Sequence, residues 1–191
     1  MTINMNNSIT EPGAQCTTDS PVQKAAQLRM MIFDVDGVLT DGRLHFSVEG
    51  ELMKSFHVHD GLGIQLLQKM GIATAIISAR QTPIVIRRAA DLGITHVYQG
   101  NHDKRITFRQ LLNDTGIRAE QCGFMGDDIV DLPLFGKVGF AVSVPNAHPD
   151  ASSRAHYITE KAGGMGAVRE ICDFILRAQG KYEAALAPYL A

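Results

Sequence analysis

Tryptophan is absent from the 191-residue chain, cysteine occurs only three times, and the net charge is −2. No cluster of lysine and arginine is dense enough to form a binding surface for nucleic acid or an anionic membrane. No apolar run approaches the roughly 20 residues that a membrane-spanning helix needs. Residues 1–28 lack the basic-then-apolar order of a secretory signal. We therefore expect a cytoplasmic protein that binds neither nucleic acid nor membrane.

The three cysteines, Cys16, Cys122 and Cys172, lie far apart in the chain. They form no C-x-x-C or Cys/His spacing of the kind that indicates a zinc site or a redox pair. We expect reduced thiols, with Cys122 and Cys172 serving as small core residues.

Length and composition are those of one soluble globular domain, with 45% hydrophobic and 20% charged residues. We expect a poorly ordered N-terminal tail over residues 1–27, with at most a short helix near its end. A single folded domain is expected over residues 28–180, followed by a C-terminal tail over residues 181–191.

Apolar strand patterns alternate with helical patterns along that domain. The predicted strands are 29–34, 73–77, 95–98, 122–125, 138–142 and 156–158. The predicted helices are 61–70, 82–92, 102–114, 128–135 and 164–179. This alternation predicts an α/β fold, with a Rossmann-like parallel sheet flanked by helices on both faces. Residues 43–56 interrupt it with two extended runs joined by a turn at Gly50, which predicts a projecting β-hairpin.

Two carboxylates spaced by two residues, Asp34 and Asp36, follow the apolar run of the first predicted strand. The period-2 geometry of extended chain places both on the same side. Further along, Ser78, Lys104 and the triplet Gly126-Asp127-Asp128 also follow or flank apolar runs. Because the carboxyl ends of parallel strands share one edge of a sheet, we expect these residues to converge there.

The set suits hydrolysis of a phosphate ester. Mg²⁺ held by Asp34, Asp127 and the main-chain carbonyl of Asp36 would cancel the repulsion between a carboxylate and a phosphate dianion. Asp34 would be the nucleophile and form an aspartyl-phosphate. Asp36 would protonate the leaving alkoxide and then deprotonate the attacking water. Lys104 would supply positive charge, and Ser78 would donate to phosphate oxygens.

Each residue alone also has a purely structural interpretation. Ser78 is suited to capping a helix, and Lys104 to a solvated helix surface. Asp128 and Asp131 suit the first turn of a helix, where negative charge is favourable. The role of Asp128 stays open between that position and support of a metal site.

The ordered combination resembles the haloacid dehalogenase-like phosphohydrolases. The stretch Asp34-Val35-Asp36-Gly37-Val38-Leu39-Thr40 is similar to their first motif, Ser78 to the second, Lys104 to the third and Gly126-Asp127-Asp128 to the fourth. A closer resemblance is to the members that hydrolyse 3-deoxy-D-manno-octulosonate 8-phosphate (Kdo 8-phosphate), a step towards bacterial lipopolysaccharide. Segments that support it include His59-Asp60-Gly61-Leu62-Gly63-Ile64, Ile77-Ser78-Ala79-Arg80 and Gly163-Gly164.

That resemblance implies Mg²⁺ as cofactor, a sugar phosphate as substrate and a homotetramer. It also implies substrate contacts from Arg80 and Arg88, whose guanidinium groups suit a sugar-acid carboxylate. We add to the predicted substrate-binding set Asp36, His57, His59, Asp60, Gly61, Ser78, Ala79 and Lys104. For His57 and His59, contact with sugar hydroxyls and a plain surface position stay open.

Spacing between the motifs leaves no room for the cap domain that related phosphatases often carry. The segment from Ser78 to Lys104 holds one helix and one strand, and that from Asp41 to Ser78 holds the hairpin, one helix and one strand. An uncapped site either accepts macromolecules or is closed by a neighbouring subunit. We expect neighbouring hairpins to close it.

Three other functions remain open. The same motifs would serve another sugar acid phosphate, such as an N-acylneuraminate 9-phosphate. A receiver-like phospho-switch module also uses an acidic cluster, a hydroxyl residue and a lysine, although its acceptor aspartate comes later than the acidic pair. A catalytically silent partner of a nucleotidyltransferase is disfavoured because every motif is intact.

Overall fold

The computed structural model of the protein describes residues 19–190. Over that range the strands are β1 (Met30–Phe33), β2 (His45–Ser47), β3 (Gly50–Met53), β4 (Ala73–Ile77), β5 (His96–Tyr98), β6 (Cys122–Met125), β7 (Phe140–Ser143) and β8 (Tyr157–Ile158). The α-helices are α1 (Pro21–Ala26), α2 (Val58–Lys69), α3 (Pro83–Leu92), α4 (Lys104–Thr115), α5 (Leu132–Phe135), α6 (Pro149–Ser152), α7 (Ala167–Ala178) and α8 (Tyr182–Leu186). Short 3₁₀ helices span Ala119–Gln121, Ile129–Asp131 and Ala187–Tyr189.

Six of these strands form a parallel sheet in the spatial order β5-β4-β1-β6-β7-β8. Strand β1 lies between β4 and β6, so that Phe33 is level with Ile76 on one side and Met125 on the other. The residues that follow these three strands therefore meet at one edge. The predicted fold class is confirmed, including the lack of a cap domain: only the hairpin and α2 separate β1 from β4, and only α3 and β5 separate β4 from α4.

Successive residues of β1 point into two separate cores, as the period of a strand requires. Met31 and Phe33 pack on one face, beneath α1, α2, α3 and α7. Met30 and Ile32 pack on the other face, beneath α4 and α5. All four side chains are fully buried. The apolar stripe of α7, including Ile171 and Ile175, is also fully buried, as its helical spacing predicts.

The predicted β-hairpin is present, with β2 and β3 paired as a separate two-stranded sheet. Its apolar side chains face outwards: Phe46 is 60% exposed, and Leu52 is 64% exposed. A two-stranded sheet on its own is marginally stable in water. Stabilisation of this hairpin therefore has to come from contacts at its base or from another surface.

Short helices lie at both ends of the described range. Residues 1–18 of the expected N-terminal tail lie outside the described residues. Residues 20–27, however, form α1 and its caps, with Ser20 and Gln23 making a capping box. Ala25 is fully buried, and the side-chain amide of Gln179 donates to the Ala25 and Leu28 carbonyls. The short helix expected near the end of that tail is therefore present, and these contacts hold it against the end of α7.

The expected C-terminal tail is likewise helical from Tyr182 to Tyr189. Ala185 is buried, and the Arg177 guanidinium lies 3.5 Å from the centre of the Tyr182 ring. A cation over an aromatic face is stabilising. The residues after α7 therefore fold back against it.

Candidate active site

A cavity of about 270 Å³ lies at the carboxyl edge of the sheet, where β1, β4 and β6 end. It is lined by Asp34, Asp36, Gly42, Ser78, Ala79, Arg80, Asp127, Asp128 and Val130. The structure thus brings together residues from three separate motifs at the edge where ligands bind in open α/β sheets.

Asp34 and Lys104 form a buried ion pair next to this cavity. Lys104 Nζ lies 2.9 Å from Asp34 Oδ2, and the lysine side chain is fully buried. Asp103 caps α4 by accepting from the Arg105 N–H, which makes Lys104 the first residue of that helix. Burial acts to lower the pKa of Lys104, but the neighbouring carboxylates of Asp34 and Asp131 outweigh it and raise the pKa. Lys104 is therefore a fixed, buried positive charge. It does not lie on a solvated helix surface, which was the alternative interpretation from the sequence.

Asp34, Asp127 and Asp131 form an acidic cluster, in which one carboxylate oxygen of each lies within 4.8 Å of the others. Burial raises the pKa of Asp34, and Lys104 opposes this shift without cancelling it. Burial, followed by the charge of Asp34, raises the pKa of Asp127 to about 7. Crowded, buried carboxylates of this kind favour binding of a divalent cation, and oxygen ligands are those that Mg²⁺ prefers. The donor set of Asp34 and Asp127 fits that ion.

Asp131 has a role that the sequence interpretation missed. Its Oδ1 accepts from Lys104 Nζ at 2.5 Å, and its Oδ2 accepts from the N–H groups of Asp127 and Asp128 at 2.9 and 3.1 Å. With three donors on a fully buried carboxylate, Asp131 is better suited to hold the lysine and the Asp127 loop than to bind a metal. Asp128 instead caps the 3₁₀ helix by accepting from the Ile129 N–H.

The Asp36 carboxylate lies apart from the acidic cluster. It accepts a hydrogen bond from Lys54 Nζ, and its Oδ2 lies 3.4 Å from Arg80 Nε. Asp36 therefore faces the cavity as a separately held carboxyl group, which fits a proton-transfer role. Metal binding through its main-chain carbonyl stays a prediction.

Ser78 is buried at the end of β4, and its N–H donates to the Tyr98 carbonyl. It does not cap the following helix, because Thr82 does so by accepting from the Ile84 N–H. The Ser78 hydroxyl makes no hydrogen bond to another residue within 19–190. It is therefore free to donate to a ligand in the cavity.

Lys104 reaches this cavity only through its ion pair with Asp34, and five further predicted substrate-binding residues do not line it: His57, His59, Asp60, Gly61 and Arg88. His57 caps α2 by accepting from the His59 N–H. Asp60 is buried, and its Oδ1 accepts from the Arg169 N–H at 2.8 Å, which ties α2 to the start of α7. Any contact of these five with substrate stays a prediction.

The Arg88 side chain of α3 packs against α2 next to Gly61. A Cβ atom on Gly61 would lie 2.5 Å from Arg88 Nη2, so any larger residue there would have to move the Arg88 guanidinium. The Arg88 guanidinium also lies 5.5 Å from the centre of the Phe56 ring. The chain thus uses Gly61 to seat an arginine beside the base of the hairpin.

The parallel sheet and its edge cavity, with a carboxylate next to a buried lysine and a second acidic loop, define a phosphohydrolase of the haloacid dehalogenase-like class. A model of the haloacid dehalogenase-like hydrolase family matches residues 88–171. The chain is 46% identical over 167 residues to the 3-deoxy-D-manno-octulosonate 8-phosphate phosphatase KdsC of Yersinia pestis, covering 87% of this chain and 89% of that protein. It belongs to the family of these phosphatases.

A second curated relative and a solved structure show the same family similarity. KdsC of Escherichia coli K12 is 47% identical over 164 residues, covering 86% of this chain and 87% of the relative. A crystal structure of the Moraxella catarrhalis phosphatase, in complex with magnesium, phosphate and KDO, superposes with a TM-score of 0.86 at 43% identity. That match covers 88% of this chain and 97% of the other. The fold and the sequence similarity therefore extend over most of both molecules.

Proposed function

We propose that this chain is a Mg²⁺-dependent phosphatase that hydrolyses Kdo 8-phosphate to Kdo and inorganic phosphate in the synthesis of lipopolysaccharide precursors. The observation that carries the proposal is the Asp34 carboxylate, held 2.9 Å from Lys104 at a cavity shared with Asp36 and Asp127. The KdsC relatives, at 46 and 47% identity, support the choice of substrate.

In the first half of the reaction, an Asp34 carboxylate oxygen forms a bond to phosphorus and the bond from phosphorus to the sugar oxygen breaks. Asp36 gives a proton to the departing alkoxide. In the second half, water gives a proton back to Asp36 and attacks phosphorus, which releases inorganic phosphate and restores the Asp34 carboxylate. The two carboxyl groups are held by different lysines, Lys104 for Asp34 and Lys54 for Asp36, so they are separate groups at one cavity.

The remaining polar groups hold the phosphate and the sugar acid. Lys104 offsets negative charge at Asp34, and Ser78 donates to a phosphate oxygen. Mg²⁺ bound by Asp34 and Asp127 would neutralise phosphate charge in the attack. Arg80 lines the cavity, and its buried Nε makes no hydrogen bond within residues 19–190. That nitrogen faces Asp36, but the Arg80 side chain as a whole is 39% exposed, so its guanidinium can still donate to the substrate carboxylate.

We further propose a cytoplasmic homotetramer in which neighbouring hairpins cover the open site. The exposed apolar side chains of the hairpin, including Phe46, Val48 and Leu52, support an interface at that position. Free, buried thiols at Cys122 and Cys172 suit a reducing compartment. No helix within residues 19–190 has the length and apolar character to cross a membrane.

The test is phosphate release from a panel of sugar phosphates, with and without Mg²⁺. We expect Kdo 8-phosphate to give the highest kcat/KM, with activity lost when the metal is chelated. If an N-acylneuraminate 9-phosphate were preferred by more than about tenfold, which is about 1.4 kcal/mol of transition-state binding, the substrate assignment would be wrong.

A further inference from the structure

Four charged side chains form a closed ring beside the cavity, and two of them come from the hairpin. Lys54 Nζ donates to Asp36 and lies 2.8 Å from Glu51 Oε1. Arg80 completes the ring, with Nη2 3.5 Å from Glu51 Oε1 and Nε 3.4 Å from Asp36 Oδ2. Positive and negative groups alternate around the ring, so each one is attracted by both of its neighbours.

Lys54 is the least exposed member of the ring, since only 1% of its side chain is accessible. It follows strand β3 and does not line the cavity that contains Asp34 and Asp36. It lines a separate cavity of about 460 Å³ with Phe56, Pro83 and Ile84. Lys54 is therefore not among the residues that line the cavity around Asp34, and it reaches that cavity only through its contact with Asp36.

We propose that Lys54 is a positioning residue for the proton-transferring carboxyl group of Asp36, and that Glu51 holds Lys54 in place. This inference rests on the proposed function. The lysine ammonium anchors Oδ1 of Asp36 and leaves Oδ2 towards Arg80 and the cavity. Without that anchor the carboxyl group can turn about its Cβ–Cγ bond. A misplacement of about 1 Å in a reacting group can cost on the order of 100-fold in rate.

The hairpin thereby has a second role besides assembly. Burial acts to raise the pKa of Glu51, but its ion pair with Lys54 outweighs burial and lowers the pKa. Glu51 is therefore a stable negative partner for both Lys54 and Arg80. The base of the hairpin fixes two residues that belong to motifs elsewhere in the chain, Asp36 and Arg80.

The experiment compares Lys54→Met with Lys54→Arg, using Lys137→Met as a matched control at an exposed lysine. We expect Lys54→Met to lower kcat at least about tenfold, within the range that positioned proton transfer contributes. KM and the Kd for Mg²⁺ should change little, because Lys54 touches neither the cavity nor the acidic cluster. Lys54→Arg should restore most of the rate, and the control should match the wild type.

A double-mutant cycle with Asp36→Asn separates positioning from a merely structural effect. If Lys54 acts through Asp36, then adding Lys54→Met to Asp36→Asn should cause no further loss in kcat. A loss of the same size in both backgrounds would overturn the proposal, and so would an unchanged kcat in Lys54→Met. If Lys54→Met fails to fold, Glu51→Gln replaces it in the same cycle. Because Glu51 also contacts Arg80, only kcat at saturating substrate is compared, and we expect a smaller loss that is again absent beside Asp36→Asn.

The cycle needs only a phosphate monoester that the wild-type enzyme hydrolyses. A different preferred sugar would therefore contradict the substrate assignment and leave the result for Lys54 standing. A wild-type protein without any phosphatase activity would overturn both proposals.

Discussion

Lys104 Nζ lies between two buried carboxylates, 2.9 Å from Asp34 Oδ2 and 2.5 Å from Asp131 Oδ1. One residue therefore links the predicted nucleophile to the loop that carries Asp127. Because the two acids share one buried cation, Lys104 holds the two motif loops together. We therefore expect Lys104 to contribute to stability as well as to the proposed chemistry.

Replacement of Lys104 by methionine should abolish most activity and destabilise the fold. The change leaves two buried carboxylates without their counter-charge, and breaking a buried ion pair in this way costs about 3–5 kcal/mol. Chemical denaturation checks the stability, with Lys137→Met as the control for loss of an exposed lysine. Equal stability of the two variants would contradict the burial of this ion pair.

Gly37 should be required for metal binding. Its φ is +84°, and a Cβ atom there would lie 2.0 Å from Asp127 Oδ2. Gly37→Ala should therefore displace the Asp127 carboxylate and weaken Mg²⁺ binding, as measured by calorimetry. Gly71→Ala is the matched control, since Gly71 has a φ of +79° and no atom within 4 Å of the added carbon. Equal metal affinity in both variants would show that Asp127 is not a ligand.

Binding of Mg²⁺ should release protons near neutral pH. The pKa of Asp127 is raised to about 7 and that of Asp34 is also raised, chiefly by burial, so both carboxyls hold protons more tightly than ordinary ones. A cation binds their ionised forms, and its affinity should therefore rise as pH increases towards and through 7. Calorimetry in buffers of different ionisation enthalpy measures the released protons. An affinity independent of pH between 6 and 8 would contradict these shifts.

The same carboxyls affect the stability of the metal-free protein. Because their folded pKa exceeds the unfolded value, their contribution to stability is greatest at low pH and declines as pH rises towards 7. Added Mg²⁺ should reverse that decline. Thermal unfolding with and without the metal gives the difference, which should be larger at pH 8 than at pH 6.

Leu52→Glu should dissociate the proposed tetramer. Leu52 is 64% exposed on β3, and a buried glutamate at a subunit interface would lack a partner. Val22→Glu places the same change on a 52% exposed residue of α1 and serves as the control. Sedimentation velocity should give a smaller species only for Leu52→Glu. An unchanged assembly would exclude the exposed face of the hairpin as the interface.

Sequence patterns were sufficient to predict those features of the molecule that depend on residues close together in the chain. The alternation of strand and helix patterns predicted the parallel sheet. The positions directly after the strands predicted that Asp34, Ser78 and Asp127 would meet at its edge. The role of Asp131 could not be predicted from the sequence, because an acidic residue in the first turn of a helix is already explained by the favourable interaction of negative charge with the helix N-terminus. Its bond to Lys104 depends on two helices meeting in space, which no spacing reveals.

Long-range contacts also explain the other differences. Asp60 bonds to the start of α7, a partner that lies more than a hundred positions away in the chain. The ion pair between Lys54 and Asp36 exists only because the hairpin folds back over the loop after β1. Helix α1 is short, and its order comes from Gln179 and the burial of Ala25.

The most direct test of the account is to trap the covalent intermediate during turnover. Acid quenching followed by borohydride reduction converts an aspartyl-phosphate to homoserine, which mass spectrometry locates in the sequence. We predict homoserine at position 34 in the wild-type enzyme with Mg²⁺ and substrate, and none in Asp34→Asn. Full phosphate release by Asp34→Asn, or modification at a different aspartate, would contradict it.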